Sequence, residues 1–227
     1  MTLRGALAVA LLLFAACTQN GRPPGADAAV VKPARYLALG DSFTVGTGSP
    51  PGRAFPARLG DRWAAQGCPV ELRNVAVNGY TSEDVIAEEL PVLSAFRPTF
   101  VTVAIGANDI AQGRGLDAYR VTVRRILDAT IAIGARVVVL PQPDWSRSSS
   151  AASFGTPDSL NESITRFNAA LAEEARAKGA QWVDLAPLMA GQAASGMVAG
   201  DGLHPSADAY DAWAAELARV LPSPCAR

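Results

Sequence analysis

Beyond residue 33 the chain alternates between two apolar patterns. Short dense runs, rich in β-branched and aromatic residues, cover 35–40, 70–77, 99–105, 136–140 and 181–185. Runs of that length, bounded by glycine or polar residues, predict buried strands. Between them the apolar positions recur every three or four residues, the spacing of one helix face. That spacing predicts helices over 54–66, 81–96, 116–133, 158–178 and 206–221. Thr81 and Asp84 supply a hydroxyl cap and a first-turn acid to the second of these, and Pro91 kinks or divides it. Residues 141–157 read as a long polar loop carrying Trp145 and Phe154, and the stretch after residue 185 as a loop of small residues.

Strands that alternate with helices imply a parallel sheet covered on both faces. With right-handed crossovers this predicts an α/β fold, a three-layer α/β/α domain with a flavodoxin-like parallel five-stranded sheet. Such sheets bind ligands at the C-terminal ends of their strands.

Composition narrows the picture. The chain is 49% apolar and 18% charged with net charge −1, so it lacks the basic excess that nucleic-acid binding would need. Residues 1–16 read as a signal peptide: Arg4 gives a positive start, and the apolar run 6–16 is too short to cross a membrane. It ends Leu13-Phe14-Ala15-Ala16-Cys17, which resembles the lipobox of bacterial lipoproteins and makes Cys17 the expected site of lipidation. Residues 17–33 then form a flexible Gly/Pro/Ala-rich tether, and 34–227 the folded domain. The implied location is the cell envelope, on its periplasmic or extracellular face, with the membrane touched only through a lipid anchor at Cys17.

The other two cysteines, Cys68 and Cys225, form an even pair in an exported protein, which suggests a disulfide. Cys68 follows the first helix and precedes the second strand, at the N-terminal edge of the sheet. Cys225 follows the last helix, which ends at the same edge, and in a flavodoxin-like order the first and last helices cover one face.

Four polar segments follow strands and so share the C-terminal edge: Ser42 after the first, Gly79 after the second, Asn108 after the third, and Asp201 with His204 after the fifth. His204 is the single histidine of the chain, and Asp201 stands three residues before it, close enough in a tight turn to fix its tautomer. Taken singly, Asp-Ser and Asn-Asp are good helix caps and Asn-Gly-Tyr a good turn. Together they supply a hydroxyl, a backbone N–H, a carboxamide and an Asp–His pair, the parts that acyl transfer needs. No G-x-S-x-G elbow surrounds Ser42, no HExxH or CxxC motif suggests a metal, and no glycine-rich loop with a following lysine suggests a nucleotide.

Gly40-Asp41-Ser42-Phe43, the Asn74 to Gly79 segment, Gly106-Ala107-Asn108-Asp109 and Asp201-Gly202-Leu203-His204 resemble, in order, the four blocks of the SGNH (GDSL-type) hydrolases. Phe43 stands where that family has leucine. The resemblance implies the SGNH hydrolase fold. It makes Ser42 the nucleophile, His204 the general base and Asp201 its orienting acid. It also implies an oxyanion hole from the backbone N–H groups of Ser42 and Gly79 and the side-chain amide of Asn108. Glycine at 79 would let a substrate approach the backbone closely, and Asp41 and Asp109 would hold their loops. No cofactor and no metal are implied, and the partner is a small-molecule ester.

The expected activity is a serine esterase acting on small carboxylic esters through an acyl-serine intermediate. A carbohydrate or peptidoglycan O-acetyl esterase, a lysophospholipase and a thioesterase are the alternatives within enzymes. A non-catalytic glycan-binding envelope module is the alternative outside them. The sequence leaves the oligomeric state open.

Overall fold

The computed structural model describes residues 32–225, so the expected signal peptide, Cys17 and most of the tether lie outside the described residues. β1 (Ala34–Gly40) leads into a single-turn helix α1 (Ser42–Val45), then α2 (Phe55–Ala65) and β2 (Val70–Asn74). Next come α3 (Ser82–Asp84), a π-helical turn (Val85–Glu89) and α4 (Val92–Phe96), so Pro91 divides the expected helix. β3 (Phe100–Ala104), α5 (Ala107–Ala111), α6 (Leu116–Ala132) and β4 (Arg136–Val139) follow. The long loop contains a 3₁₀ turn (Ala151–Ser153) and ends at α7 (Pro157–Ala177), with β5 (Gln181–Trp182), α8 (Ala186–Ala194) and α9 (Ala207–Val220) completing the chain.

All strand pairs are parallel and the order is β2-β1-β3-β4-β5, the expected flavodoxin-like arrangement. The two-residue period of the strands sorts the core into two halves. Tyr36, Ala38, Phe100, Ala104 and Val138 face Phe55, Leu59 and Trp63 of α2 and Tyr210, Trp213 and Leu217 of α9. Leu37, Leu39, Val101, Val103, Val137 and Val139 face Val85, Leu93 and Phe96, together with Val123, Ile126 and Leu127 of α6 and Phe167 and Leu171 of α7. The β-branched run of β3 is buried along its whole length, as a strand covered on both faces should be.

Two strands are shorter than their apolar runs. β2 stops at Asn74 rather than continuing to Val77. The Asn74 amide donates to Thr44 O at 2.8 Å and its Oδ1 accepts from Ala76 N at 3.3 Å, turning the chain off the ladder. β5 pairs over two residues instead of five, because Asp184 Oδ1 accepts from Ala186 N at 3.0 Å and turns the chain into a helix. That helix, α8, corrects the expected small-residue loop. Ala, Leu and Met are strong helix formers and Pro187 sits in its first turn, but only Met189 and Gln192 are buried, so no apolar stripe announces it.

Cys68 and Cys225 are joined in a disulfide with Cα atoms 5.5 Å apart, at the end of the sheet opposite the C-terminal strand ends.

Candidate active site

The first strand carries Ser42 to the sheet edge through a turn that only glycine can make. Gly40 has φ +155°, and a Cβ there would lie 2.3 Å from Thr44 Oγ1 and 2.4 Å from Ala104 O. Asp41 caps α1, its Oδ1 accepting from Phe43 N at 3.0 Å, so Ser42 is the first helical residue and its own N–H points out of the helix start. Ser42 is nearly buried, and Asp41 is wholly so. Burial pushes the Asp41 carboxyl up to about 7, against the Phe43 amide that favours its charged form.

Gly79 sits in the loop that replaces the missing end of β2. Its φ is +84°, and a Cβ there would meet nothing within 4 Å. The backbone angle is therefore what requires glycine on the protein side, and the space beside it is open to an incoming group. Asn108 lies in the first turn of α5, and its Nδ2 donates to Tyr80 O at 3.0 Å, which ties it to the Gly79 loop and leaves the second amide proton to the site. Asp109 beside it is fully buried and accepts from both Ser82 N (2.9 Å) and Ser82 Oγ (2.6 Å). Asp41 and Asp109 thus hold loops, as the sequence suggested.

Residues 198–205 form a small hairpin that presents the last block, closed by a bridge between Val198 and Pro205 and by Ala199 N donating to His204 O at 2.7 Å. Within it Asp201 Oδ1 accepts from Leu203 N (2.9 Å) and His204 N (3.0 Å), while Oδ2 lies 2.7 Å from His204 Nδ1. Partial desolvation pulls the Asp201 carboxyl upward, but the two amides and the imidazole outweigh it and hold it below the ordinary carboxylate range. An ionised Asp201 on Nδ1 places that proton on Nδ1 and leaves Nε2 free to accept one. The His204 ring packs at a tilt against Phe43, the residue after Ser42, with centroids 5.3 Å apart. No hydrogen bond joins Ser42 Oγ to His204 in this structure.

Further residues, not foreseen from the sequence, lock the four loops to one another. Thr47 Oγ1 donates to Asn78 Oδ1, and Asn74 Nδ2 to Thr44 O, linking the Ser42 and Gly79 segments. Tyr210 Oη donates to Thr47 O at 3.1 Å, and a Cβ on Gly48 would lie 2.6 Å from Ala199 Cβ and 3.1 Å from His204 Cβ, so the histidine hairpin rests on bare backbone. Glu89 Oε2 accepts from Gly40 N at 2.9 Å. Val85, Glu89, Leu93 and Phe96 share a helical stripe in the sequence, so an acid on an apolar face was the readable sign.

A cavity of about 90 Å³ opens beside Ser42 and Asn108, walled by Phe43, Ala111, Trp145, Phe154 and Leu203. Trp145 and Leu203 also wall a larger groove of about 420 Å³ that runs along Ala190, Ala193 and Val198. Among the described residues no group of three or more His, Cys, Asp or Glu could hold a metal ion.

The family model for the GDSL-like Lipase/Acylhydrolase family matches residues 38–212, from β1 into α9. Over 104 residues the chain is 30% identical to the Thioesterase 1/protease 1/lysophospholipase L1 of Escherichia coli (strain K12), a match covering 46% of this chain and 49% of that protein. The chain thus spans about half the length of the curated relatives it matches. Among solved structures, TesA shares the fold with a TM-score of 0.68 at 23% identity, over 81% of this chain and 95% of that one. The acetylxylan esterase Axe2 of Geobacillus stearothermophilus does so with a TM-score of 0.68 at 19% identity, over 82% and 93%. With its sheet order, its four polar segments on one edge and a family match over most of its length, the chain belongs to the GDSL-like lipase/acylhydrolase family.

Proposed function

We propose that the protein hydrolyses short-chain carboxylic esters with Ser42 as nucleophile, His204 as general base and Asp201 as the acid that orients it. Ser42 Oγ attacks the ester carbon while its proton passes to His204 Nε2, and the imidazolium then gives that proton to the departing alcohol. Water repeats the sequence on the acyl-Ser42 intermediate and releases the acid. The oxyanion is received by the N–H groups of Ser42 and Gly79 and by the free amide proton of Asn108, three donors that need no rearrangement as charge develops. The observation that carries this reading is the Asp201–His204 pair at 2.7 Å, packed against the residue next to Ser42. Serine–base contacts in empty sites often close only around substrate, so the open Ser42–His204 pair is compatible with the role.

The size of the cavity at Ser42 supports short acyl groups. It is a small space with mostly apolar walls, Phe43, Ala111, Trp145, Phe154 and Leu203, which suits the acyl part of a small ester. Anchoring at the cell envelope rests on the segment before Cys17 and belongs to the same reading.

The test is turnover of a chromogenic acetyl ester by the domain from residue 32 onward. Ser42→Ala and His204→Ala should each lose at least about a thousandfold in kcat with unchanged circular dichroism. Near-wild-type turnover by either variant would remove the mechanism, and no turnover by the wild type would favour the glycan-binding alternative.

A further inference from the structure

The strand end that carries the nucleophile lies where the sheet is open on one side. N–H and C=O of alternate strand residues point the same way, so Gly40 N faces the side of β1 that Ala38 O faces. Ala38 O is met there by Val75 N at 3.2 Å, the last rung before β2 turns away toward Gly79. Gly40 N therefore has no ladder partner, and the Glu89 carboxyl takes the place of one at 2.9 Å. Glu89 reaches this wedge from the π-helical turn Val85–Glu89, where Leu90 N donates to Val85 O at 2.9 Å. Such single wide turns re-aim one side chain within a helix and recur at functional sites. Glu89 is 1% exposed, and among the described residues no cation pairs with it. Its Oε1 is buried without a hydrogen-bond partner, as is Oδ2 of the equally buried Asp41, the residue after Gly40.

We infer that Glu89 is a positioning residue for Ser42, bracing the open side of the nucleophile turn as an uncharged acid, and that its ionisation ends esterase activity at alkaline pH. An unpaired, buried carboxylate is costly, and two of them flanking one glycine more so. The groups that face Glu89 are acids: Asp41 from the strand end and Asp84 from α3. Asp109, which bears on Asp41, and Tyr119, on which both acids bear, complete the set, and Arg114 pairs with Asp109. Burial, helped by Asp41 and opposed by the Gly40 amide, raises Glu89 to about 9, while Asp41 lies at about 7, so the pair carries about half a negative charge at pH 7 and about one at pH 8. Deprotonating Glu89 sets a second charge against the first across Gly40. The turn two residues before Ser42 then shifts, and small displacements of a nucleophile are expensive in rate.

The inference rests on Ser42 being the nucleophile and is tested on the intact domain by pH profiles. Wild-type kcat for an acetyl ester should fall about tenfold between pH 8 and pH 10, as a group titrating near 9 requires, with KM moving less than about threefold and near-UV circular dichroism unchanged. Glu89→Gln keeps an acceptor for Gly40 N but cannot ionise, so its profile, scaled to its own plateau, should stay level to pH 10. Glu89→Leu should lower the kcat plateau by more than about tenfold, with glutamine restoring most of it. A wild-type profile level to pH 10, or a Gln variant with the wild-type alkaline fall, overturns the inference. An active Ser42→Ala enzyme would instead overturn the reading of the nucleophile.

Discussion

Single residues here do their work through pairs of bonds shared between loops. Asn108 shows this best: one amide proton holds Tyr80 O, and the other is the donor proposed for the oxyanion. Asn108→Ala should therefore lower kcat by about a hundredfold or more, with KM changed by less than about threefold, because the lost donor acts mainly in the transition state. Steady-state kinetics on an acetyl ester decide it, and an equal effect confined to KM would make Asn108 a substrate anchor. At this scale the sequence was legible where partners lie close along the chain. The Asp201–His204 contact spans three residues and follows from the spacing. Thr47 to Asn78 and Glu89 to Gly40 span 31 and 49 residues, and they depend on a strand ending early and on a π turn, neither of which leaves a periodic mark.

Helices and strands were legible in their cores and misread at their ends. The apolar stripes of α2, α6, α7 and α9 fixed those helices to within a residue or two, because burial of one face is what stabilises them. The ends of β2 and β5 are decided by Asn74 and Asp184 side chains rather than by hydrophobicity, so the apolar runs overshoot them. The missed helix α8 matters for specificity, since Ala190 and Ala193 line the larger groove. Trp145, from the long loop, is almost buried, packs edge-on against Phe154 at 5.9 Å and lines both that groove and the cavity at Ser42. Trp145→Ala should join the two spaces and raise the octanoyl-to-acetyl ratio of kcat/KM by about tenfold or more, since each accommodated methylene is worth about 1 kcal/mol or more. A ratio is the right readout, because truncating a buried tryptophan also costs stability and lowers the folded fraction for every substrate alike. An unchanged ratio would make Trp145 a support for the loop and not a gate.

Over the whole molecule, stability and chemistry sit at opposite ends of one sheet. The C-terminal strand ends carry open loops, glycines at positive φ and buried acids raised above their ordinary pKa, all of which cost stability. The other end is closed by the Cys68–Cys225 bond, which fastens the chain after α9 to the chain after α2, two helices that pack side by side on one face. This pairing was legible because it follows from strand order and from the edge at which each helix ends. With the cysteines 157 positions apart, the chain-entropy model gives the bond about 5 kcal/mol at most, and the short tail beyond α9 keeps the realised value lower. At about 2–4 °C per kcal/mol for a domain of this size, reduction should lower Tm by roughly 5–15 °C. The active edge is held by its own cross-ties from Thr47, Asn74 and Tyr210, and none of them passes through the disulfide. Activity at 25 °C should therefore stay within about twofold of the oxidised enzyme, because the native state at that temperature is still the folded one. Calorimetry and an acetyl-ester assay on the oxidised, the reduced and the Cys68→Ser/Cys225→Ser proteins check both halves. A loss of activity matching the loss of Tm would show that the two ends of the sheet are coupled, and an unchanged Tm would show that the bond constrains nothing the fold does not already hold.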